Sequence, residues 1–129
     1  MIFKSFEINK INKKINQLIL FYGKNEGLKN EALNILIKDE NNIQNYEEKE
    51  ILDNENNFIE NILSKSLFEK EKFIVIKRTT DKILKVIETL HLKNLEDTTI
   101  ILNSDNLEKK SKLRSLFEKD KKLLCVPFY

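Results

Sequence analysis

A phosphate-binding pattern is the first chemistry that this sequence could support. The segment Leu18–Leu36 reads as an apolar strand, a glycine turn and a helix, the context of a phosphate loop. Aligned on Gly23, the pattern G-x-x-x-x-G-K-[ST] puts Leu28 at its second glycine, Lys29 at its lysine and Asn30 at its hydroxyl residue. Leu28 carries a side chain where backbone must approach phosphate, and Asn30 offers no hydroxyl to Mg²⁺. The loop is therefore degenerate, and we expect it to bind no nucleotide.

The rest of a nucleotide site is also missing. Glu26 would place a negative charge inside the loop, and two basic residues rather than a carboxylate follow the apolar run Phe73–Ile76. Asp105 follows another apolar run, but one carboxylate does not make a metal site. We interpret Gly27, like Gly23, as part of a strand-to-helix turn.

Other catalytic and metal-binding arrangements are absent from the sequence. The single histidine, His91, lies at the end of a helical pattern with no evident partner, and Cys125 lies in an apolar run as a packed thiol. No cysteine or histidine spacing fits zinc, and the acidic cluster at 47–50 reads as a solvated edge. We expect no catalytic site, no cofactor and no metal.

Composition fits a single domain. The chain has 129 residues, a net charge of +2 and one cysteine, so no intrachain disulfide can form and a reducing cytoplasm fits. No apolar run approaches the length of a membrane span, and the near balance of charge argues against a strongly basic nucleic-acid binder.

Short apolar runs alternate with helical patterns. Apolar runs that do not alternate with polar residues are typical of strands buried on both faces. We expect four such strands, at Leu18–Tyr22, Phe73–Ile76, Thr99–Leu102 and Leu123–Val126. A weaker, more polar segment within Ile43–Ile51 would add an edge strand. The pattern predicts a three-layer α/β domain with a mostly parallel, five-stranded sheet.

Helices are predicted between these strands. Their apolar positions form five groups: Ile8, Ile11 and Ile15; Leu28, Ala32, Ile35 and Leu36; Phe58, Ile59, Ile62 and Leu63; Ile83, Leu84, Ile87 and Leu90; Leu113, Leu116 and Phe117. Asp81 and Ser111 are predicted helix caps, and Asn54–Asn57 and Lys93–Asp97 are predicted loops. Because the chain stops after a presumed core strand, a longer protein would be expected to continue past Tyr129.

Two basic segments could contact nucleic acid. They are Lys10–Lys14 and the group Lys109, Lys110, Lys112 and Arg114. The simpler interpretation is that these are solvated helix faces, since acidic residues interrupt the second group. A DNA-binding module therefore stays an alternative, as does a small phosphate-loop NTPase.

The segment Ser64–Phe68 carries an adjacent Leu67-Phe68 pair. Leu67 continues the apolar stripe from Leu63, whereas Phe68 is turned about 100° away from it. Charged residues follow at once. Periodicity favours core packing, but such a pair at a helix end is also a common hydrophobic plug for a partner's pocket.

Three blocks together resemble the N-terminal domain of the delta subunit of bacterial DNA polymerase III, a clamp-loader family. They are LFYGKNEGLKNE at Leu20–Glu31, SLFEKEKFIVIKR at Ser66–Arg78 and SKLRSLFEK at Ser111–Lys119, followed by the strand LLCVPFY. Their order and spacing carry the resemblance, which covers essentially the whole chain.

The resemblance implies a RecA-like AAA+ fold over residues 1–129, with a degenerate nucleotide site and no ATP hydrolysis. It implies binding to the ring-shaped beta sliding clamp and opening of one ring interface for loading onto primed DNA during replication. The clamp-binding wedge maps onto Leu67 and Phe68, with Ser66 beside it. Lys65 stands where some relatives have an apolar residue, which would narrow the wedge. The family's lid and collar domains, which hold the other loader subunits, lie outside this sequence.

Overall fold

The computed structural model describes residues 1–64, 71–93 and 95–129. Five strands form one sheet: β1 Leu18–Tyr22, β2 Ile43–Glu47, β3 Lys72–Lys77, β4 Thr98–Asn103 and β5 Leu124–Pro127. Their order is β2-β3-β4-β1-β5, and all four neighbouring pairs are parallel. The predicted α/β class and parallel sheet are confirmed, including the polar edge position of β2.

Helices cover both faces of this sheet. They are α1 Glu26–Ile37, α2 Glu48–Asp53, α3 Glu55–Leu63, α4 Leu84–Leu92 and α5 Lys112–Lys119, with 3₁₀ helices at Ser5–Lys10 and Asp81–Ile83. One apolar core lies under α2 to α5, and a second lies under α1 and the N-terminal 3₁₀ helix.

Strand β1 shows why its sequence has no polar alternation. Leu20 faces the first core and Ile19 and Phe21 face the second, and all five residues of β1 are buried. Because helices cover both faces of β1, neither face contacts water, and a continuous run of apolar residues fits this position.

Several local predictions were wrong. The region 54–57 is not a loop, because α3 begins at Glu55 and the Asn54 side chain accepts a hydrogen bond from the Asn57 N–H. The predicted helix stripe of Ile8, Ile11 and Ile15 is only a short 3₁₀ helix with Ile8 buried, and Ile15 is exposed.

Of the two predicted helix caps, one is confirmed and the other is wrong. Ser111 caps α5 as predicted, since its hydroxyl accepts from the Arg114 N–H at 3.2 Å. Asp81 does not cap the helix that follows it, because Thr80 takes that role. Asp81 instead receives hydrogen bonds from Ser111 and from the first backbone N–H groups of α5.

The acidic cluster at 47–50 is not wholly solvated, as the sequence had suggested. Glu48 is buried, and its carboxylate accepts hydrogen bonds from the N–H and hydroxyl of Thr80. Glu47 pairs with Arg78 across the carboxyl ends of β2 and β3.

Candidate functional site

Sheet topology places the natural crevice at the carboxyl ends of β1 and β4. The connection from β1 runs to the β2 edge over the face that α1 covers, whereas the connection from β4 runs to the β5 edge over the face that α5 covers. The two connections therefore leave these neighbouring strands on opposite faces of the sheet. Ligands of open α/β sheets bind at such a switch point. The β1–α1 turn with the degenerate phosphate pattern lies there.

This turn is too short to surround a phosphate. Only Gly23, Lys24 and Asn25 separate β1 from α1, so Glu26 to Leu28 already lie in the helix. In a phosphate loop, the corresponding residues form the open backbone turn that encloses the ligand. The early helix start replaces that turn.

Backbone N–H groups of the turn bind protein oxygens instead. Those of Gly23 and Asn25 donate to the carbonyl oxygens of Asp105 and Phe128, each at 3.3 Å. The Leu28 N–H donates to the Asn25 side-chain oxygen at 3.1 Å. These three donors are therefore used within the fold.

Gly23 is required by geometry. Its φ of 125° is a conformation that side chains disfavour, and an added Cβ would lie 2.0 Å from the carbonyl oxygen of Phe128. The expectation that Gly27 also shapes the turn was wrong, because Gly27 lies in the first turn of α1 and an added Cβ would meet only the Asn25 side chain, at 3.6 Å. Leu28 and Asn30 are exposed on α1.

Lys29 is the matched lysine of the pattern, and it is buried at 1% exposure. Its Nζ donates to the carbonyl oxygen of Ser104 at 2.9 Å and lies 2.7 Å from Oε1 of Glu26. The carboxylate of Glu26, one turn earlier on α1, thus balances the positive charge of Lys29. In a nucleotide site, phosphate balances the charge of the corresponding lysine. The sequence signal was the Glu26–Lys29 spacing, which places both side chains on one face of the helix.

The crevice beside Lys29 has a volume of about 530 Å³ and a mixed lining. Its residues are Glu26, Lys29, Asn30, Lys77, Arg78, Thr79, Thr80, Asn103 and Asp105. Arg78 forms a bidentate pair with Glu47, both N···O distances being 2.9 Å. That pair lowers the carboxyl pKa of Glu47, with the Arg78 hydrogen bonds as the main cause.

Buried hydroxyls at the floor of the crevice were missed by sequence reasoning. The Thr79 and Ser104 hydroxyls are hydrogen-bonded to each other, and the Thr79 N–H donates to the carbonyl oxygen of Asn103. They join the carboxyl ends of β3 and β4. No motif marks them: Thr79 stands in a Thr-Thr pair two residues after β3, and Ser104 follows β4 directly.

His91 and Cys125, the two reactive side chains that the sequence shows in isolation, both pack within the fold. His91 ends α4 as predicted, but it does have a partner, Asp120, with its Nε2 2.9 Å from Oδ2. Cys125 is fully buried in β5, and burial raises the pKa of its thiol to about 11. A thiol protonated at neutral pH is a poor nucleophile.

The basic groups proposed for nucleic acid are partly engaged within the protein. Lys13 binds the Leu36 carbonyl oxygen at 2.8 Å and Glu40 at 2.5 Å. Arg114 has only 13% of its side chain exposed, donates to the Leu107 carbonyl oxygen and lies over the Tyr22 ring. Lys10 pairs with Glu7 and Lys110 pairs with Glu108, although Lys109, Lys110 and Lys112 are all exposed.

The predicted plug of Ser66, Leu67 and Phe68 lies outside the described residues, as does Lys65. Its flanks are defined at the amino-terminal edge of the sheet. Lys72 Nζ donates to the carbonyl oxygens of Asn61 and Ser64, at 2.8 and 2.7 Å, and so joins the end of α3 to the start of β3.

Within residues 1–64, 71–93 and 95–129, no group of three or more acidic, histidine or cysteine side chains could hold a metal ion. No helix in those ranges is long and apolar enough to cross a membrane.

The fold is an α/β domain with a five-stranded parallel sheet, in which only three residues separate β1 from α1 beside the crevice. No protein-family model and no curated protein matches the sequence. Among solved structures, the fold is similar to the Bacillus subtilis DNA clamp loader delta protein YqeN, with a TM-score of 0.71 and 15% identity over 96% of this chain.

A second similar structure is Saccharomyces cerevisiae RIF2, with a TM-score of 0.55 and 16% identity over 97% of this chain. The chain spans 42% of the delta protein and 54% of RIF2. At these identities the likeness concerns the fold alone, which is similar to part of a clamp loader delta protein.

Proposed function

We propose that this chain is the clamp-binding domain of a delta-type clamp-loader subunit, without ATP hydrolysis of its own. The observation that carries the proposal is the agreement of a sequence likeness with a likeness of fold. Three sequence blocks resemble the delta family in order and spacing, and the fold is similar to a delta protein over 96% of the chain.

The crevice supports a non-hydrolysing role. The turn after β1 has no open phosphate cradle, and Lys29 is bonded to Ser104 and Glu26. An NTPase needs a metal ion and a polarised phosphate, for which this crevice offers no matched set of ligands. ATP control of loading would then belong to other subunits of the loader.

The proposed contact with the clamp is an apolar plug formed by Leu67 and Phe68, with Ser66 beside it. Burying roughly 100–200 Å² of apolar surface contributes a few kcal/mol at ~25 cal/mol/Å². That energy promotes ring opening only if the plug binds an open or distorted ring better than a closed one.

Simultaneous change of Leu67 and Phe68 to serine tests the site. We expect the variant to lose binding to a purified bacterial beta clamp in surface plasmon resonance, because both apolar anchors are removed. Far-ultraviolet circular dichroism and thermal unfolding report whether the fold is kept. Unchanged clamp binding by a folded variant would show that the plug has been placed wrongly.

A DNA-binding module using the basic segments is the second candidate. Exposed Lys109, Lys110 and Lys112 favour it, while the engagement of Lys13 and Arg114 within the protein weakens it. Steeply salt-dependent binding to a DNA duplex at low micromolar concentration would support this role over clamp binding.

A further inference from the structure

The amino group of Met1 lies among the carbonyl oxygens at the end of α5. Its nitrogen donates to the carbonyl oxygens of Phe117, Glu118, Asp120 and Leu123, at 2.6, 3.1, 2.9 and 3.0 Å. An ammonium group has three N–H donors, so at least one of them is shared between two of these oxygens. The four oxygens therefore form a carbonyl cage around the α-ammonium group.

The carbonyl cage consists mainly of groups that the helix itself leaves without a partner. Phe117 and Glu118 lie in the last turn of α5, and Asp120 is the residue that ends it. The last four carbonyl groups of a helix accept no bond within the helix, and they carry its negative partial charge. A cation with three donors satisfies these groups and balances that charge, through hydrogen bonds that are stronger than those between neutral groups.

The residues after the amino group are fixed on the edge of the sheet. The Cys125 N–H donates to the Met1 carbonyl oxygen at 2.9 Å, and the Phe3 N–H donates to the Cys125 carbonyl oxygen at 3.0 Å. Ile2 forms a parallel bridge with Cys125, and the side chains of Met1 and Phe3 pack against the second core. With its backbone held in this way, the nitrogen cannot move away from the cage without breaking these contacts.

An added acyl group does not fit the carbonyl cage. A formyl or acetyl group turns the ammonium into a neutral amide with a single N–H, so the positive charge and two donors are lost. The added carbon would also replace a hydrogen where cage oxygens lie 2.6–3.1 Å from the nitrogen. A residue joined before Met1 has the same effect, because its carbonyl carbon would occupy that position.

From these contacts we infer that the α-amino group of Met1 is a modification site, at which an acyl group lowers the stability of the fold. A formyl group on this methionine must then be removed before the carbonyl cage can form. In that hydrolysis, the bond between the formyl carbon and the nitrogen breaks, the oxygen of water leaves in formate, and the two hydrogens of water end on the nitrogen. The inference does not depend on clamp binding.

Chains that differ only at their ends test the inference by differential scanning calorimetry. The first has the free amino group of Met1, the second keeps a formyl group because peptide deformylase is inhibited in the producing cells, and the third has Gly-Ser joined before Met1. We expect the second and third to melt about 5–10 °C below the first. Gly-Ser joined after Tyr129, whose side chain is 78% exposed, is the matched control and should leave the melting temperature unchanged.

Treatment of the formylated chain with purified peptide deformylase supplies the rescue. Mass spectrometry follows the loss of the formyl group, and we expect the melting temperature to return to that of the first chain. A formylated chain that folds only after this treatment would meet the same expectation. The inference fails if the formylated and N-extended chains melt within about one degree of the first chain, or if the rescue does not occur. An equal fall on extension after Tyr129 would also overturn it, because the effect would not depend on the carbonyl cage.

Discussion

Lys29 is a buried cation whose charge is balanced by the protein itself. Its Nζ binds the Ser104 carbonyl oxygen and the Glu26 carboxylate, so it ties the first turn of α1 to the end of β4. Removing one partner of a buried polar contact costs more than the contact contributes, because the other partner is left unpaired. Lys29 therefore contributes to stability where its counterparts in nucleotide sites contribute to phosphate binding.

Truncation of Lys29 tests that role. We expect Lys29→Ala to lower the free energy of unfolding by about 2–4 kcal/mol, since it leaves a cavity and an unpaired Ser104 carbonyl oxygen. Lys29→Met, which keeps most of the side-chain volume, should cost about 1–2 kcal/mol. Urea unfolding followed by circular dichroism gives both values. Lys24, exposed in the same turn, supplies the control Lys24→Ala; equal stability of all three variants would refute a structural role for Lys29.

At the scale of elements, Asp81 joins two helices that are far apart in the sequence. It follows Thr80 at the start of a 3₁₀ helix, yet its carboxylate receives the Ser111 hydroxyl at 2.6 Å and two N–H groups of α5. Mainly the Ser111 hydrogen bond, then those backbone groups, lower its pKa. A negative charge at the first turn of α5 is also favoured by the helix dipole.

Loss of this contact should destabilise α5 and its packing. We expect Asp81→Ala to lower the free energy of unfolding by about 1–2 kcal/mol, the usual cost of a lost cap. Because the folded-state pKa is lowered, the contribution is present above the unfolded value of about 4 and is lost as the pH falls through the folded value. In urea unfolding, the difference in free energy of unfolding between wild type and Asp81→Ala should therefore be smaller at pH 3 than at pH 7. Asp39→Ala, at an exposed aspartate after α1, is the control and should leave the free energy of unfolding unchanged at both pH values. An effect of Asp81→Ala that is the same at both pH values would contradict the charge-based account.

The elements also show what sequence alone can predict. Strands β1, β3, β4 and β5 were predictable because a strand buried on both faces needs a continuous apolar run. The role of Asp81 could not be predicted from the sequence, because its partners lie 30 to 32 residues later and only the tertiary fold brings them near. The degenerate loop was readable position by position, but the Lys29–Ser104 contact also depends on the pairing of β1 with β4.

At the scale of the whole molecule, the end of β5 is bonded to the turn after β1. The Phe128 N–H donates to the Tyr22 carbonyl oxygen at 2.8 Å, and the Phe128 carbonyl oxygen accepts from Asn25. Gly23 passes so close to Phe128 that only a residue without a side chain fits. The end of β5 therefore packs directly on the turn after β1, where a nucleotide-binding domain keeps space for phosphates.

A domain whose β1–α1 turn is bonded to the end of β5, and whose Lys29 is bonded to Ser104 and Glu26, should not respond to nucleotide. A ligand that binds the folded state at one hundred times its dissociation constant stabilises it by about 2.7 kcal/mol, which raises the melting temperature of a domain of this size by several degrees. We expect millimolar Mg-ATP to leave the melting temperature of this chain unchanged within about one degree, as measured by differential scanning calorimetry. A phosphate-loop NTPase measured in the same buffer is the positive control. A rise of several degrees, abolished by Lys29→Met, would mean that the crevice opens to admit phosphates, and it would restore the NTPase alternative over a loader subunit that acts without its own ATP.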